Sequence, residues 1–203
     1  TFVIISIILS FYPPLLFWID FIYDDACFYI KTAYNYSQGL GSTFDGINPT
    51  NGYQPLWFIL LAAVFYIISL FTGNLTPDSL IRITVFIHFM LFYFTFYFSY
   101  KAFRIIFPKH SIFSSVLLSV SLCIIPVLIR NMGLETSITT FVLSLYFWIK
   151  SREIFLKKNH IVYKTTLLIF LFLSRIDFLI TLIPILILYE CFDRDLRKYF
   201  INL

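Results

Sequence analysis

Long hydrophobic runs separated by short polar stretches make up most of this 203-residue chain. Six runs can be drawn, at 2–19, 56–72, 80–100, 112–129, 132–149 and 165–189. They are continuous rather than alternating, which favours helices over barrel strands, and most approach the roughly 20 residues with which a helix crosses a bilayer. The pattern predicts an all-α integral membrane protein, a polytopic bundle of transmembrane helices. Prolines at 13–14, 126 and 184 are expected to kink or end helices.

One long polar loop, 20–55, separates the first two hydrophobic runs. Residues 25–38 in this loop have the pattern of a short interfacial helix, which Gly39 would end. The apolar side of that helix carries four residues, Phe28, Ile30, Ala33 and Tyr34. Two later dipeptides are typical of turns, Asp45-Gly46 and Asn51-Gly52.

Composition supports the membrane assignment. The chain is 60% hydrophobic and 13% charged, whereas a soluble domain usually carries about 25% charge. Its basic residues cluster in 101–109 and 150–164, which is typical of cytoplasmic loops and not of a nucleic-acid interface. The three cysteines are far apart and predict neither a disulfide framework nor a metal site. Because the chain starts with Thr1 inside a hydrophobic run, we expect a single transmembrane module, residues 1–203, from the N-terminal part of a longer protein.

The charges of the loops give an orientation that contains a conflict. The 20–55 loop has four Asp and one Lys, which places it outside, whereas 150–164 belongs in the cytoplasm. The loop that contains Glu135 should then also face outside. Three hydrophobic runs, an odd number, separate these two loops. Either one of the three is re-entrant or interfacial, with the shortest, 56–72, as the strongest candidate, or one loop is misassigned.

Three groups of polar residues are candidates for chemistry. Asp24 and Asp25 start the predicted interfacial helix, where one carboxylate could act as a general base or could cap the helix. Arg175 and Asp177 lie within the last hydrophobic run, where charges mark either a functional site or a buried ion pair. Because residues two apart do not face each other on a helix, we expect them to have separate partners. Glu135, in a compact polar break, could bind sugar hydroxyls, a metal ion or Arg175, or could belong to a plain tight loop.

These stretches resemble a known family. Asp24-Asp25-Ala26, the segments 39–46 and 48–52, and Pro55-Leu56-Trp57 are similar to the first external loop of polytopic GT-C glycosyltransferases. Within that superfamily they look most like prokaryotic relatives of the lipid-linked-sugar mannosyl- and arabinosyltransferases. Gly133-Leu134-Glu135-Thr136 and Ser174-Arg175-Ile176-Asp177 resemble two further short motifs of these proteins, in the same order and with similar spacing.

The resemblance implies a GT-C-like enzyme of the prokaryotic plasma membrane with its active site outside. It would transfer a sugar, with inversion, from a polyprenyl-phosphate donor to a glycan, lipid or protein acceptor. Asp24 or Asp25 would be the catalytic base, and Arg175 would hold the lipid phosphate. The other candidate substrate-binding residues are Glu135, Asp177, Asn51 and Gln54. Some members use a divalent metal, Mg²⁺ or Mn²⁺, and others do not, and no clear ligand set is visible here.

A different class of protein fits part of the same pattern. In a transporter or channel subunit, Arg175, Asp177 and Glu135 would line a path for a solute. That alternative leaves the 20–55 loop unexplained, and it favours an internal repeat, which the sequence does not contain.

Overall fold

A computed structural model describes residues 2–14, 17–18, 20–22, 24–109, 111–128, 132–156, 161–181, 184–186 and 188. Its helices are α1 (Phe2–Phe11), α2 (Asp24–Ser37), α3 (Pro55–Thr72), α4 (Pro77–Ile106), α5 (Ile112–Leu128), α6 (Thr136–Leu156) and α7 (Ile161–Ser174), followed by the short 3₁₀ helix η1 (Ile176–Leu179). The described residues contain no named strand, which confirms the all-α prediction.

Two of these helices, α3 and α4, are long and apolar enough to cross a bilayer, judged by length and composition. Shorter apolar helices cover 2–11, 112–123 and 162–174. The finer prediction of a polytopic bundle therefore stays a prediction.

Helix α4 lies at the centre of the described structure and packs against α1, α5 and α6. Helix α1 runs antiparallel to α4, because Phe2 stacks on Tyr93 while the carbonyls of Ser10, Phe11 and Pro13 all accept hydrogen bonds from Arg82 Nη1. Helix α6 runs parallel to α4, as two contacts show: His88 with Ser137 near its start, and Phe98 with Trp148 further along. The end of α1 therefore lies beside the start of α4, and the start of α6 lies about 16 Å further along α4, at the level of His88.

The helix predicted for residues 25–38 is confirmed to within one residue at each end, and its position at a membrane interface stays a prediction. It stops where Gly39 takes a positive φ of 81°. Gly39 N–H then donates to the Tyr36 carbonyl and Leu40 N–H to the Asn35 carbonyl. This is the Schellman arrangement that a glycine at this position favours.

The other expectations about helix ends and turns have different outcomes. Helix α1 ends at Phe11, before the proline pair, as predicted. The last hydrophobic run is not one helix, because α7 ends at Ser174 and Arg175 is extended, with φ −152° and ψ 111°. Asn51-Gly52 is not a turn, since Gly52 has no positive φ, whereas Gly46 does. Of the residues around Pro184, only 184–186 and 188 are described.

Candidate functional site

The start of α2 packs tightly against the polar break before α6. Gly133 has a φ of +94°, and a Cβ built there would lie 2.4 Å from the Cβ of Ala26. An isolated parallel bridge pairs Ile22 with Met132 beside this contact. The stretch that carries Asp24 and Asp25 and the stretch that carries Glu135 are therefore neighbours, on the same side of the molecule.

Gly133 is fixed by hydrogen bonds on both sides of its backbone. Its carbonyl accepts from Trp57 Nε1 at 2.8 Å, and its N–H donates to His88 Nε2 at 2.7 Å. Because Nε2 accepts, the proton of a neutral His88 ring lies on Nδ1, which hydrogen-bonds the Ser137 hydroxyl. Trp57, His88 and Ser137 are fully buried. This network fixes the loop that leads into Glu135.

Glu135, Arg175 and Asp177 form a charged cluster. Arg175 Nε lies 3.8 Å from Glu135 Oε1, and Arg175 Nη2 lies 3.1 Å from Asp177 Oδ2. The side chain of Glu135 is 10% exposed, that of Arg175 34% and that of Asp177 55%. The prediction that Arg175 and Asp177 have separate partners was wrong, because the helix ends before Arg175 and the helical spacing no longer applies. The alternative in which Glu135 pairs with Arg175 is confirmed.

Gln54 and Tyr29 join this cluster to α2 and α3. Gln54 Oε1 accepts from Ile176 N–H at 3.0 Å, and Gln54 N–H donates to the Tyr29 hydroxyl at 2.8 Å. Burial, together with the negative charge of Glu135, raises the pKa of Tyr29 well above its usual range. Tyr29 therefore stays a neutral phenol that can both accept and donate a hydrogen bond.

Asp24 and Asp25 are both exposed, in the first turn of α2. Residues four apart on a helix are neighbours on its surface, so Asp25 lies on the side of Tyr29 and of the charged cluster. Asp24 lies on the side of Cys27, whose pKa is raised by burial and by the charge of Asp24. Asp25 is therefore the better placed of the two carboxylates to act together with Glu135 and Arg175.

The loop 38–54 is compact and is tied to α2. The buried side chain of Asn35 donates to the carbonyls of Thr43 and Phe44, each at 3.0 Å. Asp45 accepts hydrogen bonds from the backbone of Asn48 and Ile47 and from the Asn48 side chain, which lowers its pKa to about 2. This is the predicted turn at Asp45-Gly46.

Among the described contacts, none joins Asn51, Asp24 or Asp25 to the charged cluster. Asn51 is exposed in the 38–54 loop. Gln54, three residues later, is in the cluster.

The sequence did not indicate the roles of Tyr29, Trp57 and His88. Trp57 was noted only as part of Pro55-Leu56-Trp57. The one signal for Tyr29 was that it follows Asp25 by one helical turn.

A metal site is not formed by the residues that the structure describes, since no three His, Cys, Asp or Glu side chains among them converge. Comparison of the chain with protein-family models, curated proteins and solved structures finds no match in any of the three.

Proposed function

We propose that this chain is part of a polytopic membrane glycosyltransferase of the GT-C type. It would transfer a sugar from a polyprenyl-phosphate donor to an acceptor outside the cytoplasm, with inversion. The observation that carries the proposal is the convergence of residues distant in sequence: Ala26 meets Gly133, and Tyr29 lies between Gln54 and the Glu135–Arg175 pair. The three stretches that resemble family motifs are thus neighbours in space.

Asp25 is the proposed general base. Its carboxylate would take the proton of the acceptor hydroxyl as the hydroxyl oxygen attacks the anomeric carbon from the face opposite the phosphate. The bond between that carbon and the phosphate oxygen breaks, and the lipid phosphate leaves with the bonding electrons. General-base catalysis of this kind contributes about 10² to 10⁴ in rate.

Arg175 is the proposed partner of the leaving phosphate. Its guanidinium is one-third exposed, so part of it remains accessible while Glu135 and Asp177 fix its position. A positioned cation stabilises the charge that develops on the phosphate, and the planar guanidinium suits a phosphate geometrically. Tyr29 and Gln54 would act as positioning residues for this cluster.

The transporter alternative predicts charged groups along a path through the bundle. The Glu135–Arg175–Asp177 cluster lies where α7 stops and α6 begins, and the described residues do not extend it into such a path. No described contact of the cluster therefore favours transport over transfer.

The test is an assay of sugar transfer with the full-length protein in membranes, using polyprenyl-phosphate sugars as donors. Asp25→Asn should lower transfer by at least about 100-fold, whereas Asp24→Asn should have a much smaller effect. Asp45→Asn is the matched control, because it removes a carboxylate of the same loop that is exposed and bonded only within its own turn.

The amount of inserted protein has to be equal for all variants. Unchanged transfer by Asp25→Asn, with Asp24→Asn inactive, would reverse the assignment within the pair. Full activity of both variants would refute a catalytic role for the pair. A wild-type protein that transfers no sugar from any such donor would refute the proposed activity.

A further inference from the structure

Helix α3 begins and ends beside the same helix. At its start, Gln54 N–H donates to the hydroxyl of Tyr29 at 2.8 Å, and just after its end, Leu75 N–H donates to the hydroxyl of Tyr34 at 3.3 Å. Tyr29 and Tyr34 are only five residues apart on α2, a rise of about 7.5 Å. The two ends of α3 are therefore both close to α2.

The position of α3 along α4 leads to the same conclusion. Trp57, in the first turn of α3, lies beside His88, with ring centroids 5.0 Å apart. The last turn of α3 leads through 73–76 into Pro77, the first residue of α4. His88 and Pro77 are separated by about 16 Å along α4. The start of α3 thus lies about half of a bilayer's roughly 30 Å thickness from Pro77 along α4, and its end is joined to Pro77 by only four residues.

The direction of α3 is also unsuitable for a crossing. Its 18 residues would reach about 27 Å, whereas only about 16 Å of α4 lies between His88, beside the start of α3, and Pro77, to which its end is joined by four residues. It runs from the level of His88 back toward the start of α4, away from the basic residues Lys101 and Arg104 at the other end.

One face of α3 is apolar and exposed. It carries Ile59, Tyr66, Ile67, Leu70 and Phe71, each more than half exposed. The opposite face is buried against the bundle through Trp57, Phe58, Leu61, Ala62 and Phe65. No residue of α3 is charged. The five exposed residues form an apolar stripe along α3. Because the neighbouring helix α4 is apolar enough to cross a bilayer, we expect this stripe to contact acyl chains and not water.

We propose that α3 lies obliquely in one leaflet of the membrane, with both ends on the side of the 38–54 loop and its exposed stripe in contact with the lipids of that leaflet. Length and composition alone make α3 a candidate for crossing, but its contacts with α2 and α4 do not allow it. The conflict in loop orientation then disappears. Only α4 and α5 cross between the 20–55 loop and Glu135, and both loops face the same side, as the contact of Ala26 with Gly133 requires.

The inference can be tested by cysteine labelling of the full-length protein from which the native cysteines have been removed. Single cysteines are placed at exposed positions: Ile47→Cys in the 38–54 loop, Asn74→Cys after α3 and Lys109→Cys after α4. A membrane-impermeant maleimide is applied to intact and to permeabilised cells. We expect Ile47→Cys and Asn74→Cys to be labelled from the same side, and Lys109→Cys from the other.

Labelling of Asn74→Cys from the side of Lys109→Cys would overturn the proposal, whichever way the whole protein is oriented. If Asn74→Cys fails to insert, Thr72→Cys at the last residue of α3 provides the same comparison. The readout does not depend on sugar transfer, so it can succeed where the proposed activity fails.

Contact with lipid needs a second measurement. A bimane label on Ile67→Cys should be quenched several-fold more strongly by doxyl-labelled lipids than the same label on Ile47→Cys. Equal quenching at the two positions would overturn the lipid-facing assignment, and would mean that protein covers the stripe.

Discussion

Replacing Gly133 by alanine should destabilise the protein through two separable effects. The backbone of Gly133 has a φ of +94°, which costs an L-residue about 1–2 kcal/mol. The new methyl group would also lie 2.4 Å from the Cβ of Ala26. Because this Cβ is attached directly to the backbone, it cannot move away as the end of a long side chain could. Overpacking of this kind typically costs about 1–3 kcal/mol. The expected loss is therefore about 2–5 kcal/mol in the free energy of unfolding.

Gly39→Ala is the matched control for this variant. Gly39 has a similar φ of +81° but has no atom within 4 Å of the Cβ position. It should lose only the backbone contribution, about 1–2 kcal/mol. The difference between the two variants then measures the contact between the polar break and α2.

The assay is unfolding in mixed micelles of a mild detergent and sodium dodecyl sulfate. Combining Gly133→Ala with Ala26→Gly should recover the contact contribution, about 1–3 kcal/mol, after subtraction of the roughly 0.5–1 kcal/mol that a glycine costs within a helix. If Gly133→Ala is no less stable than Gly39→Ala, the close approach of the two stretches is refuted.

Three further predictions concern single groups. Trp57→Phe leaves the buried Gly133 carbonyl without its donor and should cost about 1–3 kcal/mol in mixed-micelle unfolding; a smaller loss would mean that another donor replaces the indole. Arg82→Gln removes an ion pair and the hydrogen bonds to the last carbonyls of α1, so a loss of about 1.5–3 kcal/mol is expected in the same assay, and an unchanged stability would contradict that capping role. Hydrogen bonds lower the pKa of Asp45 from the ordinary value of 3.8 to about 2, so the ionised carboxylate stabilises the folded 38–54 loop at pH values above 3.8. This stabilisation is lost as the pH falls from 3.8 toward 2. Cleavage of the loop by pepsin, divided by the cleavage of an unstructured reference peptide at the same pH, should rise over that interval, and this ratio should be independent of pH in Asp45→Asn.

Local signals explain which parts of the fold could be predicted. The bounds of α2 follow from its amphipathic pattern and from Gly39, whose positive φ closes the helix. The limits of α3 and α5 agree with the hydrophobic runs to within one residue, because the interruptions at Gly73 and after Pro108 are themselves in the sequence. Helix α4 extends beyond its hydrophobic run at both ends, because Asp78 and Ser79 at its start and Lys101 and Arg104 near its end interrupt the apolar pattern without ending the helix.

The sequence predicted most of the polar residues of the candidate site, but it did not predict how they are arranged in space. Glu135, Arg175, Asp177 and Gln54 were candidates, and the structure places them in one cluster. Tyr29 and His88 were missed, because a phenol and an imidazole in apolar surroundings are ordinary packing residues until their partners are known.

The break in the last hydrophobic run shows why that geometry was out of reach. In a continuous helix, the N–H of Ile176 would bond to the carbonyl four residues earlier. Here it is satisfied by Gln54 Oε1, from a loop 122 residues away in sequence. With that partner available, the helix can stop at Ser174, and Arg175 reaches both Glu135 and Asp177. A charge in the middle of the bilayer would cost roughly 2.5–3.5 kcal/mol, whereas a guanidinium that is one-third exposed at a helix end avoids part of that cost. A charged pair inside an apolar run can therefore indicate the end of a helix, and a distant residue such as Gln54 decides where that end lies.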